Sequence, residues 1–93
     1  MALTYASAMV LRSVAGGRRY GFDIMDTTGL PSGTVYPALR RLEGSGLIRS
    51  QWEKEREALQ EGRPPRKYYK LTRAGESSLA EAAERFRMTQ AET

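Results

Sequence analysis

Thr28-Gly29-Leu30-Pro31-Ser32-Gly33-Thr34-Val35-Tyr36-Pro37-Ala38-Leu39-Arg40-Arg41-Leu42-Glu43 is the stretch whose reading decides the fold. Gly29 suits the left-handed position that ends a helix. A new helix is expected to start within residues 31–33 and to run to about Ser45. Val35, Leu39 and Leu42 line one face of it at i, i+4 and i+7, with Ala38 beside them. Pro37 falls close to the start, where its missing N–H is tolerable, and Gly44 and Gly46 bracket the stop. Just upstream, residues 20–28 read as a short helix with Phe22, Ile24 and Met25 turned inward. Two helices joined by a short Gly-containing turn make a helix-turn-helix.

Outward from this pair, Leu3, Ala6, Val10 and Val14 recur at helical spacing, with Met9 and Leu11 beside them. A first helix is therefore expected over 3–15, stopped by Gly16 and Gly17. Residues 47–53 alternate, with Ile48, Ser50 and Trp52 on one side, and read as a strand. Residues 66–71 (Arg-Lys-Tyr-Tyr-Lys-Leu) give a second strand. Residues 54–65 are charged and end in Glu-Gly-Arg-Pro-Pro, which reads as a mobile loop at the tip of a hairpin. Thr72 caps a last helix with Glu76 in its first turn and Leu79, Ala82, Ala83 and Phe86 as its apolar stripe. The expected fold is mainly α with a β-hairpin (α+β): a winged helix-turn-helix over residues 1–71, its wing at 54–65, and a C-terminal dimerisation helix over 72–93. That last helix is at most about 20 residues, or ~30 Å, long.

With 93 residues, the chain is long enough for one small core. It contains no Cys and no His, which removes disulfides, thiolate and imidazole chemistry and the usual zinc ligands. No metal site or cofactor is expected, and no catalytic constellation is visible, so an enzyme is not expected. The early apolar stretch is too short for a signal peptide, and no run approaches a membrane span, so a soluble cytoplasmic protein is expected. The formal net charge is +4. Residues 1–50 carry +3, residues 51–71 carry +2 and residues 72–93 carry −1. The basic excess thus sits in the first three quarters, which suits a nucleic-acid partner without proving one.

Removing the buried face of the third helix leaves Ser32, Gly33, Thr34, Tyr36, Pro37, Arg40, Arg41 and Glu43. The second helix of a helix-turn-helix enters the major groove with its N-terminal residues toward base edges. The small head of this helix permits close backbone approach, and its free N–H groups favour phosphate. Thr34, Tyr36 and Arg40 can reach phosphate or a base edge. Taken alone, such a face is more often merely solvated. At the wing, Arg63, Arg66 and Lys67 flank two prolines, the arrangement of a tip lying along a minor groove or phosphate backbone. Glu53, Glu55, Glu57 and Glu61 share that hairpin and are expected to point away from DNA. Tyr68, Tyr69 and Trp52 are more often packing residues than a stacking platform. Leu3, Val10, Leu79, Ala82, Ala83 and Phe86 are expected at a dimer interface.

Tyr20-Gly21-Phe22-Asp23-Ile24, the run from Gly33 to Glu43, Gly46-Leu47-Ile48, the run from Gly62 to Thr72 and Ala74-Gly75, in this order, resemble the PadR family of bacterial transcriptional regulators over about residues 5–80. The resemblance implies a winged-helix DNA-binding homodimer held largely by its C-terminal helix, with the first helix assisting. It implies repression at a palindromic operator in double-stranded DNA, relieved by a small aromatic effector. It puts Thr34 and Tyr36 among the DNA-facing positions and Arg63, Arg66 and Lys67 on the wing, and Tyr20 joins that set. The last helix holds no Trp for an aromatic clamp, so effector responsiveness stays open. The competing reading is a winged-helix protein–protein adaptor without DNA binding, favoured by the acidic residues of the hairpin.

Overall fold

The structure, a computed structural model, describes residues 2–88. Its elements are α1 (Tyr5–Ala15), α2 (Gly21–Thr28), α3 (Ser32–Gly44), β1 (Ile48–Trp52), α4 (Glu55–Gln60), β2 (Lys67–Leu71) and α5 (Arg73–Arg85). Three helices and a β-hairpin form a winged helix, and α5 follows the hairpin. Among the described residues, no helix is long and apolar enough to cross a membrane.

Local chemistry places most boundaries. Thr4 caps α1 by accepting from the Ser7 N–H at 3.1 Å, and Thr72 caps α5 by accepting from the Gly75 N–H at 3.0 Å. Gly29 ends α2 at φ 74°, where its N–H donates to the Met25 carbonyl. The Thr28 hydroxyl accepts from the Leu30 N–H at 3.2 Å, which completes the tight turn into α3.

Val10, Leu11 and Val14 of α1, Ile24 of α2, and Val35, Ala38, Leu39 and Leu42 of α3 make one buried cluster with Leu47, Ile48 and Tyr69. β1 and β2 pair antiparallel with Ile48 opposite Leu71 and Trp52 opposite Lys67. The sheet gains a third edge. The Tyr69 N–H donates to the Arg19 carbonyl at 2.8 Å, and Tyr20 bridges Tyr68. The residues before α2 therefore tie the helix-turn-helix to the hairpin.

Several expectations are corrected. Phe22 is 72% exposed. It lies two residues from the buried Ile24, about 200° around the helix, and so faces solvent. The tip of the hairpin is not a plain loop, because α4 occupies half of it and Ala58 is fully buried. Glu55 and Glu57 sit in its first turn, where they complement the positive end of the helix. α5 ends at Arg85, short of the expected stop at Thr93; residues 89–93 lie outside the described residues. The stop is built by Arg87 at φ 54°, with the Met88 N–H donating to the Ala83 carbonyl at 2.8 Å and the Arg87 N–H to the Glu84 carbonyl at 3.3 Å.

α5 folds back on α1. Phe86 meets Tyr5 edge-on with ring centroids 5.2 Å apart, and the Arg85 guanidinium donates to the Leu3 carbonyl. Val10 is fully buried, and Ala82 and Ala83 are nearly so. These three side chains were expected at a dimer interface. Packing within the chain already covers them, so they offer little surface to a partner.

Gly75 shows how tightly α5 meets the hairpin: a Cβ there would run into the Leu47 carbonyl and the Leu71 side chain. In an open helix, Gly→Ala stabilises by about 1 kcal/mol. Here Gly75→Ala is expected to destabilise by on the order of 2 kcal/mol, as overpacking does. Gly44→Ala, with open space at its Cβ, is expected to be neutral or stabilising. Thermal unfolding of the two variants checks the contrast.

Candidate nucleic-acid interface

Four side chains of α3 point into the core, so the opposite edge must face outward. Ser32, Gly33, Tyr36 and Arg40 are exposed, and Thr34 and Pro37 are half-buried. Pro31 offers no side-chain cap, and the helix opens on its own backbone donors. Tyr36 leans off this edge onto the head of α2. A Cβ on Gly21 would stand 2.5 Å from the Tyr36 Oη, so only glycine leaves room for that ring.

Between this edge and the hairpin lies an open groove of about 460 Å³. Tyr36 and Arg40 of α3 line it together with Tyr20, Phe22, Trp52, Arg66 and Lys67. Two of its cations rest on its aromatic walls. The Arg66 guanidinium lies 5.4 Å from the Tyr20 ring centre, and the Lys67 Nζ lies 5.9 Å from that of Trp52. Of the DNA-facing set expected from the sequence, Tyr20, Tyr36, Arg40, Arg66 and Lys67 meet here. Ser32, Gly33, Thr34 and Pro37 continue the same edge along α3.

Two members of that set are elsewhere. Arg41 is exposed but turned toward α1, where its Nη2 donates to the Ser7 hydroxyl at 3.3 Å. Arg63 is drawn into the hairpin by Glu53, with Nη1–Oε1 at 2.6 Å and Nη2–Oε2 at 2.9 Å. Its side chain is only 18% exposed. The expectation that Arg63 presents a free cation is corrected for that reason.

Sequence reasoning missed Glu53, expected to point away, and Phe22, expected inward, as a groove wall; Trp52, read mainly as a packing residue, lines the groove as well. Trp52 shares its face of β1 with buried Ile48, yet it lies beyond the core and is 62% exposed. Tyr69 behaves as expected and packs in the core. Burial raises its hydroxyl pKa, with Glu43 nearby adding to the effect. Glu43, exposed in the helical reading, accepts from the Ser50 hydroxyl and lies 4.0 Å from Lys67 Nζ, fastening the end of α3 to the hairpin.

The model of the transcriptional regulator PadR-like family matches residues 10–81. The chain belongs to the PadR-like family. It is therefore a transcriptional regulator and not an enzyme. A PadR family transcription regulator from Clostridium difficile R20291 is 28% identical and superposes with a TM-score of 0.76, over 90% of this chain and 88% of that one. A transcriptional regulator from Clostridium thermocellum is 25% identical, with a TM-score of 0.72, over 90% of this chain and 82% of that one. A Lactococcus lactis ZitR mutant, solved in complex with DNA, shares the fold at 21% identity and a TM-score of 0.73, over 94% of this chain and 55% of that one. No curated protein matches the chain.

The Glu53 carboxyl is held at about 2, below its ordinary 4.5, first by the Arg63 hydrogen bonds and then by the Arg66 N–H. The Arg63 pKa is raised by the same pairing. Because the folded value of Glu53 is the lower one, its contribution to stability is complete above pH 4.5 and is lost as pH falls toward 2. Thermal unfolding of wild type and Glu53→Gln is expected to differ most above about pH 5 and to converge toward pH 2.

Proposed function

We propose that this PadR-like regulator binds double-stranded DNA as a homodimer and represses transcription at a two-fold symmetric operator. In this reading α3 enters the major groove. Ser32, Gly33, Thr34 and Pro37 lie against the backbone, and Tyr36 and Arg40 reach base edges. Arg66 and Lys67 lie along the adjacent phosphates or minor groove, where cations gain affinity by releasing counterions. The observation that carries the proposal is the shared groove, in which the exposed edge of α3 and the two wing cations face the same space. The DNA complex of the structurally similar ZitR mutant supports it at the level of the fold.

The dimer is proposed to form through what α1 and α5 leave uncovered after packing on each other: Tyr5, Phe86 and the half-buried Leu3 and Leu79. Release by a small aromatic effector is part of the proposal, on the strength of the family resemblance. Bordetella bronchiseptica BpsR, a protein of similar fold, is described as regulated by 6-hydroxynicotinic acid. A zinc effector is not proposed, because the chain has neither His nor Cys.

Selection of bound sequences from random duplexes is expected to return a symmetric site with half-sites one helical turn, ~34 Å, apart. Sedimentation is expected to show two chains on it. Tyr36→Ala and Arg40→Ala should weaken the selected site by about 1–3 kcal/mol more than a scrambled duplex. Arg66→Ala with Lys67→Ala should weaken both duplexes and lower the salt slope by about 2. A chain that passes through immobilised duplex at moderate salt is instead an adaptor.

A further inference from the structure

Glu53 is nearly enclosed, and its carboxylate accepts from three separate parts of the chain. Arg63 donates through both Nη atoms, the Arg66 backbone N–H donates to Oε1 at 3.0 Å, and the Tyr20 hydroxyl donates to Oε2 at 3.3 Å. The Glu53 N–H donates to the Arg66 carbonyl at 2.8 Å, which closes the hairpin at the same point. Arg63 is occupied further: its Nη2 reaches Glu61 Oε2 at 3.0 Å and its Nη1 the Pro64 carbonyl at 3.3 Å.

We propose that Glu53 is a positioning residue for DNA recognition, which neutralises Arg63 and holds the base of the wing so that Arg66 and Lys67 carry its charge to the duplex. The proposal rests on the DNA-binding reading above and deepens it.

Two consequences follow from the geometry. The first concerns charge. A bidentate guanidinium–carboxylate pair is already satisfied, and a phosphate could recruit Arg63 only by displacing Glu53. Of the three cations around Pro64 and Pro65, Arg63 then releases no counterions when DNA binds. The second concerns direction. The carboxylate that holds the Arg66 backbone also holds the hydroxyl of Tyr20, the ring on which the Arg66 guanidinium rests. One anion thus fixes both the cation and its support, and sets where Arg66 stands relative to Arg40 across the groove.

The test measures binding to the selected site and to a scrambled duplex over a range of salt. Arg63→Met is expected to leave the salt slope unchanged. Glu53→Gln, which frees the Arg63 charge, is expected to steepen the slope on scrambled duplex by about 0.9. It should also reduce the preference for the selected site by about tenfold, since an ill-aimed wing binds without discriminating. The double variant is expected to return to the wild-type slope. A slope that falls by about 0.9 in Arg63→Met, or in the double variant should a single one fail to fold, means that Arg63 itself contacts phosphate and overturns the proposal. Equal losses on both duplexes with an unchanged slope in Glu53→Gln mean that the clamp supports folding alone, and also overturn it. A wild-type chain that binds neither duplex overturns the DNA reading itself. Wild-type binding with the wrong variant pattern overturns only the role of Glu53.

Discussion

The burial of one face of α3 is the constraint from which the rest of the molecule follows. A helix of 13 residues is marginal on its own in water. Each fully buried Val or Leu contributes about 1.5–3 kcal/mol, against a few tenths for a surface ion pair. Val35, Leu39 and Leu42 therefore outweigh every polar contact on that helix. With them committed to the core, Tyr36 and Arg40 have no inward option. The outward edge of α3 is a consequence of packing before it is a feature of recognition.

The hairpin is subject to a different constraint. Two strands alone do not hold together, and this pair is supported from three directions. Ile48 and Tyr69 enter the core, the Arg19 carbonyl takes up the Tyr69 N–H, and Glu43 grips Ser50. Farther out the main buried cluster ends and, Ala58 apart, the chain turns to charge, with Glu53 holding Arg63, Arg66 and Tyr20. The aromatic and basic walls of the groove lie where the two regimes meet.

Much of this was legible along the chain. Helix faces repeat at 3.6 residues, caps sit at fixed offsets, and Gly29 marks its own turn. The wing helix has a signal of its own in the sequence. Glu55-Arg56-Glu57-Ala58-Leu59-Gln60 consists of strong helix formers, but six residues beside two prolines are too few for a clear helical period. Phe22 is apolar, yet its angle relative to Ile24, and not its hydrophobicity, sets the side it faces. Arg41 and Arg63 look like any exposed arginine, since nothing adjacent to either names its partner.

The sequence by itself determined the order of every element but α4, the helix-turn-helix, the apolar faces apart from Phe22, and the family. Each is written in local periodicity, in capping residues or in a run of motifs. The tertiary structure alone decided that Glu53 meets Arg63, that Tyr36 rests on Gly21, and that α5 folds back on α1. These pairings join residues 10 or more positions apart, and their distances are set by how the hairpin closes and how the helices pack. No period or propensity encodes such a distance, so which cations remain free for a partner could be read only from the folded molecule.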